Sequence, residues 1–471
     1  MLKRLNDRTL VDGFRRYLLA MCCAVLASFA VVTTLTIEPA SAVPSFARQT
    51  GQPCAACHTA FPELTPFGRR FKLNGYTMQG GDSNLPAFAA MLLGSYNNTQ
   101  KGQSSPPAPA TKLNDNFFPD QASIFYGGQI YGNVGAFVQA TYSRASTKIT
   151  WDNTDIRYAD QTKIGDTNLT YGLTVHNNPT VQDVWNTTPA WGFPYAASSL
   201  GPKPGAATMI EGNFAAKVAG VGAYTFWNDM IYAELTGYQS LSPAVISYLW
   251  IDSSGSDALK TVSPYWRLAI EPNWGNHSLE LGTFGMTAQI YPGNQRSFGA
   301  NQLTDLGFDA QYQYIADVHA VSFRLSNIYE FQHLSSTFAQ SNTTQLNNYL
   351  NSFKASTSYT YDNTYSATVA YFNISGSNNF DLYNINGNAA ANGAFGGFSN
   401  TSSPNSDGFI FEVAYLPFSH GSPEPWPWAN ARIGLQYTMF DRFNGSSSNY
   451  DGAGRNARDN NTLYLYAWLA Y

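Results

Sequence analysis

Leu303-Thr304-Asp305-Leu306-Gly307-Phe308-Asp309-Ala310-Gln311-Tyr312-Gln313-Tyr314-Ile315 alternates with a period of two. Leu306, Phe308, Ala310, Tyr312 and Tyr314 fall on one side of an extended chain, and Asp305, Gly307, Asp309, Gln311 and Gln313 on the other. Successive side chains of a pleated strand point to opposite faces, so this pattern is a strand with one apolar and one wet face. The pattern returns in Ala431–Met439, where Ile433, Leu435, Tyr437 and Met439 oppose Arg432, Gly434, Gln436 and Thr438. In Gly408–Tyr415, Phe409, Phe411, Val413 and Tyr415 share a face opposite Glu412; Trp266, Leu268 and Ile270 oppose Arg267 and Glu271. Such strands suit a soluble sandwich, or a membrane barrel with lipid outside and water inside.

The connections separate the two. About sixteen candidate strands begin near 87, 122, 134, 153, 167, 212, 229, 264, 277, 303, 318, 349, 364, 408, 431 and 461. Tight turns fall at Gly132-Asn133, around Trp227-Asn228, at Trp274-Gly275-Asn276, around Ala316-Asp317 and at Asp362-Asn363. Long polar links occupy about 100–121, 178–211, 239–263, 289–302, 332–348, 376–407 and 443–460. Mostly alternating short and long links fit the periplasmic turns and external loops of an outer-membrane barrel, and give a sandwich no benefit. The first long link is then external, and an even strand number returns both barrel ends to the periplasm. The last segment, Leu463-Tyr464-Leu465-Tyr466-Ala467-Trp468-Leu469-Ala470-Tyr471, ends on an aromatic residue, as outer-membrane proteins do.

Composition agrees. Charged residues make up 12% of 471, about half the usual globular share of roughly 25%, against 15% aromatic, 39 Gly and 30 Tyr. Met1 to Ala42 reads as an export signal: Lys3, Arg4, Arg8, Arg15 and Arg16, an apolar run from Tyr17 to Ile37, then Ala40-Ser41-Ala42. The apolar run is also long enough for an uncleaved anchor. Met21 before Cys22, and the apolar run beyond it, argue against a lipid attachment site. Cleavage before Val43 leaves 21 basic and 28 acidic residues, a net charge of −7. That balance, with no basic cluster, excludes nucleic-acid binding. Beyond the signal no apolar run is long enough for a membrane helix.

Cys54-Ala55-Ala56-Cys57-His58 stands near the new N-terminus. Two thiols at this spacing can form thioethers to both haem vinyl groups, and the next residue reaches the iron. Cys22 and Cys23 leave with the signal, so the exported chain keeps only this pair. Zinc would need four ligands, and no further His or Cys cluster supplies them. The spacing therefore predicts one covalent haem c on Cys54 and Cys57, with His58 as proximal ligand. The predicted organisation is a signal over 1–42, a short, partly helical haem segment over 43–86 and an all-β barrel over 87–471. Within the segment, Thr65-Pro66 reads as an N-cap with Pro at the first helical position and Gly75 as the residue past the helix end. Phe67, Phe71 and Leu73 offer an apolar face; Phe46, Phe61 and Leu64 are haem-edge or plain core residues.

Phe46-Ala47-Arg48-Gln49-Thr50-Gly51, the CxxCH, Pro62-Glu63-Leu64-Thr65-Pro66-Phe67-Gly68 and Phe71-Lys72-Leu73-Asn74-Gly75-Tyr76 resemble the start of the fused monohaem cytochrome–porin family. Its best-known members are iron-oxidising outer-membrane cytochromes. The close match covers about residues 43–80; over the barrel it is architectural. The resemblance implies the same roles for Cys54, Cys57 and His58, and electron transfer through the outer membrane between an extracellular donor, Fe(II) first, and a periplasmic c-type cytochrome. Alternatives are the same conduit serving an extracellular acceptor, a diffusion porin with a structural or regulatory haem, and a soluble periplasmic sandwich.

The sixth iron ligand is open. Met78, 20 residues after His58, is the nearest methionine, and His277, His319 and His420 fall near periplasmic turns within possible reach. Glu271, Glu280, Asp305, Asp309 and Glu412 could attract Fe(II) as hard oxygen ligands, or form an ordinary mixed-charge lumen with Arg267, Arg324 and Arg432. Arg48, Arg69, Arg70 and Lys72 could meet haem propionates or form a solvated docking face.

Overall fold

The computed structural model describes residues 44–81, 87–249, 251, 257–387, 397–420 and 427–471. The export signal and the expected start at Val43 lie outside them. Three short helices come first: α1 (Pro44–Thr50), α2 (Cys54–Cys57) and α3 (Pro66–Leu73). The strands follow: β1 (Phe88–Thr99), β2 (Asn116–Tyr131), β3 (Val134–Ser143), β4 (Lys148–Ile164), β5 (Thr167–His176), β6 (Val218–Trp227), β7 (Ile231–Ser240), the two-residue β8 (Ala258–Leu259), β9 (Ser263–Ile270) and the two-residue β10 (Asn273–Trp274). The second half holds β11 (His277–Tyr291), β12 (Asn301–Ile315), β13 (His319–His333), β14 (Asn347–Tyr361), β15 (Tyr365–Gly376), β16 (Ser406–Tyr415), β17 (Asn430–Arg442) and β18 (Thr462–Ala470).

The sixteen long strands pair antiparallel with their neighbours in order, and β1 closes the ring by pairing with both β2 and β18. The sheet has no free edge, as a chain crossing lipid requires. Which face is buried settles the environment. Asp305, Asp309, Gln311 and Gln313 are 0–1% exposed, whereas Leu306 and Phe308 are 47% and 49% exposed. The polar side of β12 faces inward and its apolar side outward, the reverse of a soluble sandwich. Outward aromatics mark both rims: Trp227, Trp274, Tyr361, Tyr365 and Tyr415 at the end bearing the tight turns, Tyr96, Phe117, Phe331 and Tyr349 at the other. An apolar belt between two aromatic girdles defines an outer-membrane barrel, its tight turns in the periplasm.

Both residues of Asp362-Asn363 have positive φ, as do both of Asn228-Asp229, one position beyond the expected Trp227-Asn228; this conformation matches strand twist. Several boundaries move. β2 begins at Asn116 and β4 at Lys148, each about five residues early, so the external β3–β4 link is only residues 144–147. The periplasmic link 416–429 is conversely long. β6 starts at Val218 rather than near 212, because the preceding residues belong to a loop, 177–217, that folds into the lumen. Thr180, Val181, Val184, Trp185 and Thr188 there are at most 1% exposed. Asp183 of this loop accepts from Arg267, and the Ile210 amide donates to Asp305.

Candidate functional site

Residues 44–81 form a plug in the periplasmic half of the barrel. Pro53 precedes the single helical turn α2, which His58 ends by donating its amide to the Cys54 carbonyl at 2.9 Å. The chain then doubles back: His58 bridges Leu64, and the Thr59 amide donates to Glu63. Thr65 ties the return to α2, its amide donating to the Cys57 carbonyl (2.9 Å) and its hydroxyl to Ala56 (2.6 Å), while capping α3 by accepting from the Gly68 amide. Gly68 allows the close approach of α3, since a Cβ there would lie 2.3 Å from the Cys57 oxygen. Gly75, with φ of 67°, follows α3 as expected.

Cys54 and Cys57 are both free thiols. Burial pushes them up to about 11 and about 12, so neither ionises at neutral pH. Burial lowers His58 to about 4, opposed by the nearby backbone of Pro62 and Glu63, so its imidazole stays neutral and able to ligate a metal. Its buried Nδ1 has no hydrogen-bond partner, and Phe61 meets the ring edge-on at 5.1 Å. Two unpaired thiols on one turn, followed by a neutral imidazole with an unused ring nitrogen, fit a covalent haem c.

The plug is anchored by charges that sequence reasoning assigned elsewhere. Arg69 is a buried clamp: it pairs with Glu271 through Nε (3.1 Å) and Nη2 (3.0 Å), and donates to Gln311, Gln313, Ser278 and Leu64. Lys72 donates to the Val181 and Asp183 carbonyls of the inward loop. Arg48 reaches the Phe88 carbonyl and lies over Trp428, and Arg70 stays exposed. Propionate binding or a solvated face therefore does not describe Arg69 and Lys72; the facing strand and loop had already supplied their partners. Glu63, unremarked in the sequence, is buried against Arg324 (2.9 Å), with Ser358, Thr59 and Tyr195 donating to it. Tyr76 donates to Asp155 at 2.6 Å.

Of the other candidates, only Met78 lies within the plug. Met78 packs with Phe46, Phe71, Ala89 and Met91 in a cluster that Trp468 also joins. His277 points outward among Trp274, Tyr312 and Tyr314, and His319 outward beside Tyr359 and Tyr361. Each is odd-numbered on a strand whose even positions face the lumen, so register takes them out of reach of the plug. His420 is exposed and bonded to Asp362. Of the inward carboxylates, Glu271 is held by Arg69, Glu280 and Asp309 by Arg267, and Glu412 by Arg432, while Asp305 lies opposite Glu330 and accepts from the Ile210 amide. The mixed-charge lumen is the reading the geometry supports.

Closure, the lipid-facing belt and an inward loop define an outer-membrane barrel of porin-like architecture carrying a periplasmic-side plug. No family model and no curated relative matches the chain. Among solved structures it is similar to OmpF of Salmonella typhi in complex with daunomycin, at 11% identity over 82% of this chain and 97% of that one, with a TM-score of 0.42. It is likewise similar to the outer-membrane channel DcaP of Acinetobacter baumannii (10%, 82% and 96%, 0.41) and to the trimer form of OmpT of Vibrio cholerae (8%, 82% and 98%, 0.41).

Proposed function

We propose that this chain is an outer-membrane cytochrome–barrel that carries single electrons between an external partner and a periplasmic c-type cytochrome or other soluble carrier. Fe(II) is the external donor that the family resemblance names. The observation that supports this reading is the position of the Cys54–His58 turn, wedged and ion-paired inside the periplasmic half of a membrane barrel. A covalent haem c would supply a one-electron couple there. Cys54 and Cys57 provide the attachment points and His58 the neutral imidazole. Phe61 shields that ring from water, and the Arg69–Glu271 and Glu63–Arg324 pairs fix the turn against the wall. Met78 is the proposed distal ligand, and an altered ligand-field spectrum in Met78→Ala is the expected result.

The test is a visible spectrum of outer-membrane fractions before and after anaerobic Fe(II), from cells with a haem-maturation system. Sharp reduced c-type bands on Fe(II) addition, absent in Cys54→Ser/Cys57→Ser, are expected. Bands seen only with dithionite would remove Fe(II) as donor, and folded protein without haem bands would overturn the reading.

A further inference from the structure

Between the inward loop and β13–β17 lies a cavity of about 370 Å³, within the range of small-molecule sites. Its wall is one row of the barrel register. Ser356 pairs with Arg324 on one side and Ala370 on the other; Ile410 and Thr438 continue the row. Comparable lumen positions on β9–β12 carry arginines and carboxylates, whereas four of these five are small or uncharged, which leaves the space. Phe193 of the loop covers the row by packing on Ala370 and Ile410. Of the charges that line it, Lys354 is matched with Glu211 and Arg324 with Glu63, while Lys203 is exposed.

Tyr464 also lines this cavity, and from it an aromatic file runs down the final strand. Tyr464, Tyr466 and Trp468 face inward, alternating with outward Leu465 and Ala467. Tyr464 stacks on Tyr466 at 5.1 Å, and Trp468 packs against the same cluster. Gly434 makes room for this, since a Cβ there would meet the Tyr466 ring at 2.3 Å. Trp468 touches Phe61 edge-on at 5.0 Å, and Phe61 touches His58 at 5.1 Å. Ring contacts at Tyr464–Tyr466, Trp468–Phe61 and Phe61–His58, joined where Trp468 packs on the cluster of Tyr464 and Tyr466, thus lead from the external-side cavity to the plug.

We propose that the cavity binds a small, uncharged aromatic molecule able to exchange one electron, and that the Tyr464–Tyr466–Trp468–Phe61 file couples it to His58. This rests on the electron-transfer reading above and adds an organic external partner to the Fe(II) that the family resemblance names. A metal ion is the poorer occupant: Glu211, which lines the cavity, is paired with Lys354, the lumen carboxylates Glu271, Glu280, Asp309 and Glu412 are held by arginines, and among the described residues no group of three His, Cys, Asp or Glu is placed to hold a metal ion. In the donor direction one electron leaves the bound molecule, which departs one charge unit more positive. One electron arrives at the group held by His58; no bond breaks and no proton need move. Conjugated rings lower the tunnelling barrier relative to saturated side chains.

Hydroxymethylferrocene, an apolar-ringed one-electron donor, is a suitable probe. Calorimetry on the purified barrel carrying Cys54→Ser/Cys57→Ser should show saturable binding, weakened at least tenfold by Ala370→Phe and by Ser356→Leu, which fill the cavity from neighbouring strands. In the haem-loaded protein, Trp468→Leu should slow stopped-flow reduction by the probe at least tenfold without changing its affinity, and Trp468→Phe should restore most of the rate. Absent binding, or binding indifferent to both filling variants, overturns the cavity assignment. An unchanged rate in Trp468→Leu overturns the file. A wild-type barrel lacking c-type bands refutes the electron-transfer reading instead, while the calorimetry still decides the cavity.

Discussion

Replacing Arg69 by Ala should release the plug. Arg69 is 1% exposed and its partner Glu271 5%, so the pair is sealed inside protein. Truncating one partner of a buried ion pair costs about 3–5 kcal/mol, because the other charge is left without its counter-ion. Trp185 Nε1 still donates to Glu271 in the variant, which places the cost near the lower end. About 3 kcal/mol is roughly two factors of ten in the ratio of docked to undocked plug. Phe71 and Tyr76 are both 4% exposed when docked, so chymotrypsin can cut after them only when the plug leaves. Where opening is fast relative to cleavage, the rate reports the open population. Cleavage should therefore rise about a hundredfold in Arg69→Ala, with larger single-channel conductance in planar bilayers. Arg69→Met/Glu271→Gln, which removes both charges and keeps an acceptor for Trp185, should return most of the protection. Cleavage of Arg69→Ala at the wild-type rate, in a barrel of unchanged heat-modifiable mobility, would refute the idea that this pair holds the plug.

Three further outcomes are expected. Gly68→Val puts a side chain where even a Cβ lies 2.3 Å from the Cys57 oxygen; α3 cannot seat on α2, and haem incorporation measured by pyridine haemochrome should fall severalfold while the barrel still assembles. Burial pulls Lys72 down to about 7 despite Asp155, whereas in a released plug it titrates near its ordinary value of about 10.4. Between these values the released state binds more protons, so docking strengthens as pH rises through this window and weakens on acidification towards 7. The ratio of wild-type to Lys72→Met cleavage rates should carry that slope, and identical profiles would sink it. Phe308 faces outward at the midpoint of β12, so Phe308→Arg places a charge in lipid and should cost about 2–4 kcal/mol in urea unfolding from vesicles.

Period two in segments such as Leu303–Ile315 already fixed which side chains share a face, because a pleated strand offers only two. Link lengths then chose a barrel over a sandwich, and Thr65-Pro66 and Gly75 announced both ends of α3 through local backbone chemistry alone. The spacing of Cys54, Cys57 and His58 is likewise a local constraint, readable as a motif, and its assignment to haem stands as a proposal. Arg69 and Glu271, 202 positions apart in the chain, could not be matched in advance, nor could Glu63 and Arg324. Whether a lysine or arginine meets a propionate, water or a strand depends on what the closed barrel brings opposite it. His277 and His319 show the converse: their place near the periplasmic turns was readable, but the side they face depends on strand register. The inward turn of residues 177–217 was likewise invisible, since a polar loop outside a barrel and one folded within it have the same composition. The final strand did hold a signal, Tyr464, Tyr466 and Trp468 at every second position. Only closure of β18 onto β1 decided that these rings line the lumen, because a sheet has an inside only once its edges meet.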